Sequence, residues 1–519
     1  MIRQNKNGIS YWLLGLLVTL IGSIQPVYAD SETSDDIARI LYQTTFGPTP
    51  TLMVTVEKLG MESWVKQQML LPPTFHQPLY NTPFSKGAQA NRENAWYQIV
   101  ITSDDQLRQR MAFALSQILV VSRYGGVLPS KPTGLANYYD VLVKHAFGNY
   151  RDLLYEIATH PVMGNYLSMM GSAKENPATG ALPDENFARE LMQLFTIGLY
   201  QLNHDGSVVV DNNTGKSVPT YTQNDVQELA RALTGWKSSD VEFVKTMRVV
   251  NSLHDSSEKT ILNTIIPAGL TGEEELSQVI DILMSHPNIA PFISKRLIQR
   301  LVTSNPSPEY IARVSTVFND NGKGIKGDLS AVITAILFDK EARLKSKHQA
   351  EKVKEPILIL TNFHRAAGFT LNGARYDGAT TVMNIANQGP LRAPSVFNFY
   401  SPDYQPSNEF MQSSMVSPEY QLLNWSAYTD IVNFMLNDIR NGGDGTYNLN
   451  LNELYALLDD HPALVEQVNA RFFAGTASAE LKALMLNVLD DYQSEYIPKA
   501  KLSIVIFTAI SGEEFYLQF

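Results

Sequence analysis

The chain reads as mainly α: one large helical domain with a small β-hairpin or short antiparallel insertion around residues 201–266. Three observations predict this. Apolar residues recur at helical spacing, as in Trp96, Ile99, Val100, Leu107, Met111, Leu115 and Leu119. Start and stop residues bracket such runs, as where Thr222 stands three positions before Asp225 and Gly235 closes the pattern. The β-leaning runs are few and short, Val241–Val250 and Thr260–Ile266, set around the polar turn Leu253-His254-Asp255-Ser256.

Taken in order, Asp35–Phe46 predicts a first amphipathic helix, started by Ser34-Asp35-Asp36 and stopped by Gly47-Pro48. Met61–Met69 predicts a second, and residues 72–91, rich in Pro, Asn and Gln, a surface loop. Asn94–Val121 is helical with a break near Ser103-Asp104, and Arg108 and Arg110 fall among its polar positions. Helices continue at 136–158 and 161–170, and residues 201–220 form an irregular hairpin turning at Asp205-Gly206 and Asn212–Gly215. Further helices follow at 274–285, 289–302, 308–319, 328–338, 352–369, 414–436, 451–458, 462–473, 478–492 and 499–507. Asn387–Tyr404 is a long loop rich in Pro and aromatic residues. The His-Pro pairs at 160, 286 and 461 mark helix starts. A loose echo links the segment from His286-Pro287 to Arg343 with that from His461-Pro462 to Phe515, with Glu341 and Glu514 each following the final apolar run. Residues 30–519 are expected to form one large domain, with 411–519 as a candidate C-terminal helical subdomain.

Met1–Ala29 has the pattern of a secretory leader. Arg3 and Lys6 give a basic start, Tyr11–Ile24 is uncharged and apolar, and Val27-Tyr28-Ala29 offers a small-residue cleavage site. The expected place of work is therefore the periplasm or the cell exterior, with no stable membrane span left after leader removal. Cysteine is absent, which excludes thiol chemistry and disulfides. The net charge is −11, two units more negative once Arg3 and Lys6 leave, and no Lys/Arg cluster of the kind phosphate backbones need is visible, which argues against a nucleic-acid partner.

The densest stretch is Pro183–Gly198. Asp184 is a candidate N-cap, Gly198 a left-handed stop, and Phe187, Leu191, Leu194 and Phe195 share an apolar stripe. Glu190 stands on the shoulder of that stripe with Asn186 one turn earlier, while Arg189 and Glu185 can pair on the outer face. A carboxylate there must be paired, hydrogen-bonded or protonated, so Glu190 is either a buried strut or a cleft acid. His254-Asp255 is the second candidate, a turn whose two side chains can reach a substrate or a metal, or can simply stabilise the turn.

Pro183–Gly198 and its continuation to Gly206 resemble the bacterial "domain of unknown function 1800" family. So do Ile37–Leu41 with Phe46-Gly47-Pro48, Tyr221–Val226 with Ala230–Trp236, and His254-Asp255 with Lys259. Further matching segments are His286-Pro287 with Phe292, Lys295 and Leu297, then Lys354-Glu355-Pro356, and the loop Gln388–Asn398. Asn263 stands where a glycine is usual in this subgroup. The resemblance implies an exported protein with no established reaction, and a sulfatase-like exported protein as a possible working partner.

If the helices carrying them pack beside the short sheet, Arg189, Glu190, Asp225, Arg231, His254 and Lys259 converge on one hollow. Glu190, His254 and Asp255 are then the candidate catalytic groups, and Asn186, Arg189, Asp225, Arg231, Lys259 and Arg392 the candidate substrate-binding groups. The alternative is an ion-pair network joining three elements. A hard divalent cation on Asp255, Glu190 and loop carbonyls is compatible with the residue types, whereas no zinc spacing and no organic-cofactor motif is present. The Asn387–Tyr404 loop, with Arg392, Phe397, Phe399, Tyr400 and Tyr404, is a candidate surface for a glycan, another polymer or a partner, unless its aromatics pack on the core. Two functions stay open: an enzyme acting on envelope or extracellular polymers, and a non-catalytic export, assembly or binding partner.

Overall fold

The structure is a computed structural model that describes residues 32–82, 87–343, 352–407, 411–491 and 498–518. The expected leader lies outside these residues.

Helix starts are set by short-range chemistry. Thr33, Thr222 and Thr271 each cap a helix and form a reciprocal box with the acid three positions on, Asp36, Asp225 and Glu274. His160 caps the Pro161–Tyr166 helix with a ring nitrogen, accepting the Val162 N–H at 3.2 Å, and His286 accepts the N–H of Asn288, the boundary residue of Ile289–Leu301, at 3.1 Å. The helices pack around one contiguous apolar core that runs from Ile37 to Tyr516. Four two-stranded antiparallel pairs sit at its margins.

The centre of the core is the helix Gln106–Ser116, in which every residue is buried. Arg108 and Arg110 are therefore inside, not on a polar face as their positions predicted. Carbonyl oxygens brought by other elements make this tolerable. Arg108 Nη2 donates to Met69 O and Leu71 O at 3.2 and 3.1 Å, and Arg110 Nη2 to Arg300 O at 3.3 Å.

Several expected boundaries move. A helix at Pro50–Leu59 precedes Met61–Leu70, capped by Thr49 with Pro50 in its first turn. The expected loop at 72–91 contains the short helix His76–Tyr80, whose first N–H groups are held by Asp140 at 2.6 and 2.9 Å. The segment 352–369 opens as a strand, Lys352–Val353, before its helix at Pro356–Ala366. Val241–Val250 does not pair with Thr260–Ile266. Arg248–Val249 instead pairs with Trp236–Lys237, and Lys259–Ile261 forms a tight hairpin with Thr264–Ile266. Leu262 and Asn263 turn that hairpin at φ of 48° and 62°, so Asn263 supplies the left-handed backbone that glycine would have given.

The echo between the two later segments has a structural counterpart. Ser307 caps Pro308–Asn319, and its N–H and hydroxyl both bond the Glu341 carboxylate. Ser478 stands at the start of Ala479–Asp491 and bonds Glu514 in the same way, at 2.9 and 2.5 Å. Each unit then runs on to a short strand, and the two strands pair with each other, Lys352 opposite Gln518 and Val353 opposite Leu517.

Candidate functional site

The helix carrying Glu190 runs only from Asn186 to Gln193. Asp184 accepts the Asn186 N–H at 2.8 Å without being the boundary residue, and the chain unwinds through Leu194 before the expected stop. Gly198 does take the left-handed conformation, at φ 74°, and a Cβ there would lie 2.9 Å from the Phe292 ring. Glu190 is 7% exposed, and its Oε2 has no hydrogen-bond partner. Burial raises its pKa, with Arg189 only partly opposing. Arg189 itself turns outward to Glu185 at 2.9 Å and Gln223 at 3.2 Å, and Asn186 is exposed.

The remaining sequence candidates gather elsewhere, between the Gln223–Ala232 helix, the Lys259–Ile261 strand and the Gly272–Ser285 helix. Arg231 Nε donates to Asp255 Oδ2 at 2.8 Å and Nη1 to Glu228 at 2.7 Å, while Ser257 also bonds Arg231 and Asp255. Burial alone would raise the Asp255 pKa, but Arg231 and Ser257 overcome it and hold it well below the ordinary carboxylate range. Lys259 Nζ, fully buried, bonds Glu275 Oε1 at 2.8 Å. His254 Nδ1 bonds Thr234 O at 3.0 Å, and its Nε2 lies 3.6 Å from Glu275. Burial works to lower the His254 pKa; the Glu275 carboxylate and the Thr234 carbonyl outweigh it and raise it. Asp225 is spent on its capping box and on the Leu262 N–H at 2.8 Å. These bonds join Arg231, His254, Asp255 and Lys259 in one network that pins a turn between two helices, while Asp225 holds the neighbouring hairpin turn separately. Glu190, Arg189 and Asn186 make none of its hydrogen bonds or ion pairs. Among the described residues no three His, Asp or Glu side chains are gathered to hold a metal ion. Arg392 stands apart from both groups, 3.8 Å from Glu93.

The cavities lie elsewhere. One of about 620 Å³ sits between Leu71–Leu79 and Gln98–Asp105. Another of about 330 Å³ is lined by Asp140, Lys144, Glu156 and His160, which are already committed. Asp140, raised to about 7 by burial, holds the His76–Tyr80 helix, and Glu156, lowered to about 2 chiefly by its His145 bond, also binds Lys144.

The third, about 400 Å³, lies between the Ile289–Leu301 helix and the Ser395–Pro402 part of the long loop, with Gln117, Leu194 and Gln421 on its remaining walls. Four segments of the family resemblance adjoin it: Leu194 of Pro183–Gly198, Phe292 with its helix, Gln388–Asn398, and Glu355 beneath. Gln117 joins floor to wall. It donates to Glu355 at 2.9 Å and accepts from Asn398 at 3.2 Å and Tyr400 at 3.1 Å. Arg296 and Arg300, one helical turn apart, both line the cavity. Arg300 is 5% exposed, its Nε has no partner, and its guanidinium stacks 4.7 Å over the Tyr400 ring. Arg296 lies over the Phe292 ring at 5.3 Å and among the described residues has one side-chain hydrogen bond, to Gln299 Oε1 at 3.5 Å; burial pulls its pKa down to about 10, Asp403 opposing and Arg300 adding. Neither arginine has a carboxylate within ion-pair distance among the described residues. Beneath them Arg110 is fully buried with Nε and Nη1 unpartnered. The loop aromatics divide: Tyr400 is buried in the wall, while Phe397 stands 59% exposed at the rim.

Reading the sequence did not single out Arg296, Arg300 or Gln117. The legible signal was a run of like charges on one helix, Lys295, Arg296 and Arg300, the two arginines at i and i+4, an arrangement that repels unless an anion joins it.

No curated protein and no solved structure matches the chain. A family model described as a protein of unknown function (DUF1800) matches residues 39–516, nearly the whole length, and the chain belongs to that family.

Proposed function

We propose that this is an exported protein that recognises an acidic, hydroxyl-rich ring, such as a sugar bearing a carboxylate or sulfate, in the Arg296/Arg300 cavity. The observation that carries the reading is a pair of arginines with no carboxylate at ion-pair distance among the described residues, in a hollow that also offers aromatic faces and amide groups. A buried guanidinium with unused donors is a poor structural element and a good anion receptor. Phe292, Phe397, Phe399 and Tyr400 supply the stacking surfaces, and Gln117, Asn398 and Gln421 the hydroxyl partners. The described lining contains no carboxylate, imidazole or amine, which favours recognition over bond cleavage, because glycoside hydrolysis calls for a pair of carboxyl groups. In this reading the Glu190 and His254-Asp255 groups hold the scaffold. Export is supported by the basic start and apolar run of Met1–Ala29.

The test is calorimetric titration of the mature chain with glucuronate, a sulfated amino sugar and glucose. The acidic sugars should bind and glucose should not. Arg300→Gln or Arg296→Gln should weaken acidic-sugar binding by roughly tenfold to a hundredfold, as loss of a charge-assisted bond implies. Equal binding of glucose, or unchanged binding by both variants, would sink the proposal.

A further inference from the structure

The loop that walls the cavity carries a second group of cations at its other end. Glu93, fully buried, faces three guanidiniums: Arg123 Nη1 at 2.6 Å, Arg92 Nη2 at 3.6 Å and Arg392 Nε at 3.8 Å. Its other oxygen accepts the Thr380 hydroxyl at 2.7 Å. One negative charge against three positive leaves two uncompensated. Arg392 Nη1 and Arg92 Nη2 have no hydrogen-bond partner. Arg123 donates to the hydroxyl of the exposed Tyr124 at 3.1 Å. Burial opposes ionisation of that phenol, yet the Arg392 and Arg123 charges hold its pKa below the usual value, which reports a positive local field at the surface.

The two cationic groups are joined by two neighbouring segments of chain, the buried run from Gln117 to Ser122 and the partly exposed loop from Leu391 to Asn398 above it. At the cavity end Asn398 donates to Gln117 at 3.2 Å, and at the other end Arg123 N donates to Leu391 O at 2.9 Å. The run from Gln117 to Arg123 reaches at most about 20 Å when fully extended, so the cavity and the cluster are no farther apart than that along these segments. Between them Pro394, Ser395 and Phe397 are exposed. A single acidic sugar needs only the cavity. A loop with unmatched positive charge at both ends and an aromatic side chain between them suits a ligand whose charge repeats along its length.

Resting on the cavity reading above, we infer that the ligand is an acidic polysaccharide. One charged residue sits in the Arg296/Arg300 cavity, and the chain continues over Phe397 to a second anion subsite at Arg123 and Arg392. Because the protein as a whole is acidic, such a polymer is held by these two local fields and not by a general basic surface.

Chain-length dependence tests this on the full mature protein. The probes are a uronic-acid disaccharide and octasaccharide, a sulfated octasaccharide, and a single-stranded oligonucleotide of matching charge. At least one octasaccharide should bind about tenfold or more tighter than the disaccharide, with a steeper salt dependence. The two octasaccharide arms tell carboxylate from sulfate, and either supports the inference. Arg123→Ala with Arg392→Ala should remove the length advantage, and disaccharide affinity reports whether the cavity is intact in that variant. Arg392→Lys, which keeps the charge, should retain most of the advantage. Disaccharide binding with no gain on lengthening overturns the polymer inference and leaves the cavity reading standing. Absence of any acidic-sugar binding by the parent removes both, and an oligonucleotide bound as tightly as the octasaccharides overturns the polysaccharide assignment. The comparison in the parent protein decides the matter even if the double variant fails to fold.

Discussion

Replacing Glu275 by Gln would leave Lys259 Nζ buried without its carboxylate. Both side chains are fully shielded from water in the parent, 2.8 Å apart. The bonds that remain to Lys259 are to the Asp255 and Ser257 carbonyls, with Asp255 Oδ1 at 4.0 Å. Breaking a buried pair from one side costs about 3–5 kcal/mol, and the surviving carbonyl contacts place this case near about 3 kcal/mol. An unfolding entropy of roughly 2 cal/mol/K per residue makes about 1 kcal/mol/K for a chain of this size, so the thermal midpoint of Glu275→Gln should fall by about 3 °C. Removing both charges, Lys259→Met with Glu275→Leu, should recover most of that loss, since well-packed apolar pairs often equal buried ion pairs. The pH profile gives a second reading. The raised His254 pKa means its protonated form stabilises the fold: the contribution is complete below the ordinary histidine value and is lost as pH rises through the higher folded value. Glu275→Gln should erase that window. Differential scanning calorimetry across pH 5 to 9 measures both effects. A loss below about 1 kcal/mol, or a double variant as unstable as the single one, would refute the view that this network is a strut.

Gly198→Ala should cost about 1–3 kcal/mol, because alanine must adopt φ 74° and push against Phe292. As Phe292 lines the cavity, acidic-sugar affinity should fall with the thermal midpoint, and a midpoint unchanged would contradict the packing. Glu190→Gln should gain on the parent as pH rises. The raised Glu190 pKa makes ionisation oppose folding, so stability is fullest below the ordinary Glu value and falls as pH climbs through the folded one; urea midpoints at pH 4 and 7 measure the difference. Ser478→Ala should cost about 1–2 kcal/mol by removing the bonds to Leu481 N and Glu514. Adding Glu514→Ala should then cost less than it does alone, by the share of the hydroxyl bond, since the N–H of residue 478 still donates to Glu514; additive losses in chemical unfolding would speak against the shared bond.

How much could be read beforehand follows the range of the forces involved. Thr222 with Asp225 and the His-Pro starts at 160 and 461 act within four residues and appear where the pattern put them, while Gly198 and Gly235 take the left-handed backbone expected of them a few residues beyond their helix ends. Where the partner is distant, the reading failed. The His76–Tyr80 helix is held by Asp140, and the burial of Arg108 and Arg110 depends on carbonyls of Met69, Leu71 and Arg300. Helical spacing cannot tell a central helix with distant acceptors from a surface one. The Pro50–Leu59 helix was legible from Thr49-Pro50, but Gly47-Pro48 just before it also reads as a stop. At the candidate site, residue type marked Arg231 and Asp255 as members of one polar group without giving their pairing, and left open whether Phe397 is exposed or packed on the core. That neither Arg296 nor Arg300 has a carboxylate within ion-pair distance among the described residues is a property of three-dimensional surroundings, which the i, i+4 spacing alone does not reveal.

The pairing of Lys352–Val353 with Leu517–Gln518 bears on when the chain can become native. Gln518 also donates to Leu301 O and Val302 O, at 2.9 and 3.2 Å, so the last described residues close off helices made hundreds of positions earlier. Until residues 517 and 518 are in place this clasp is open, and loop closure over such separations is slow. Leu517 and Gln518 thus act as a latch that fastens helices standing far earlier in the chain.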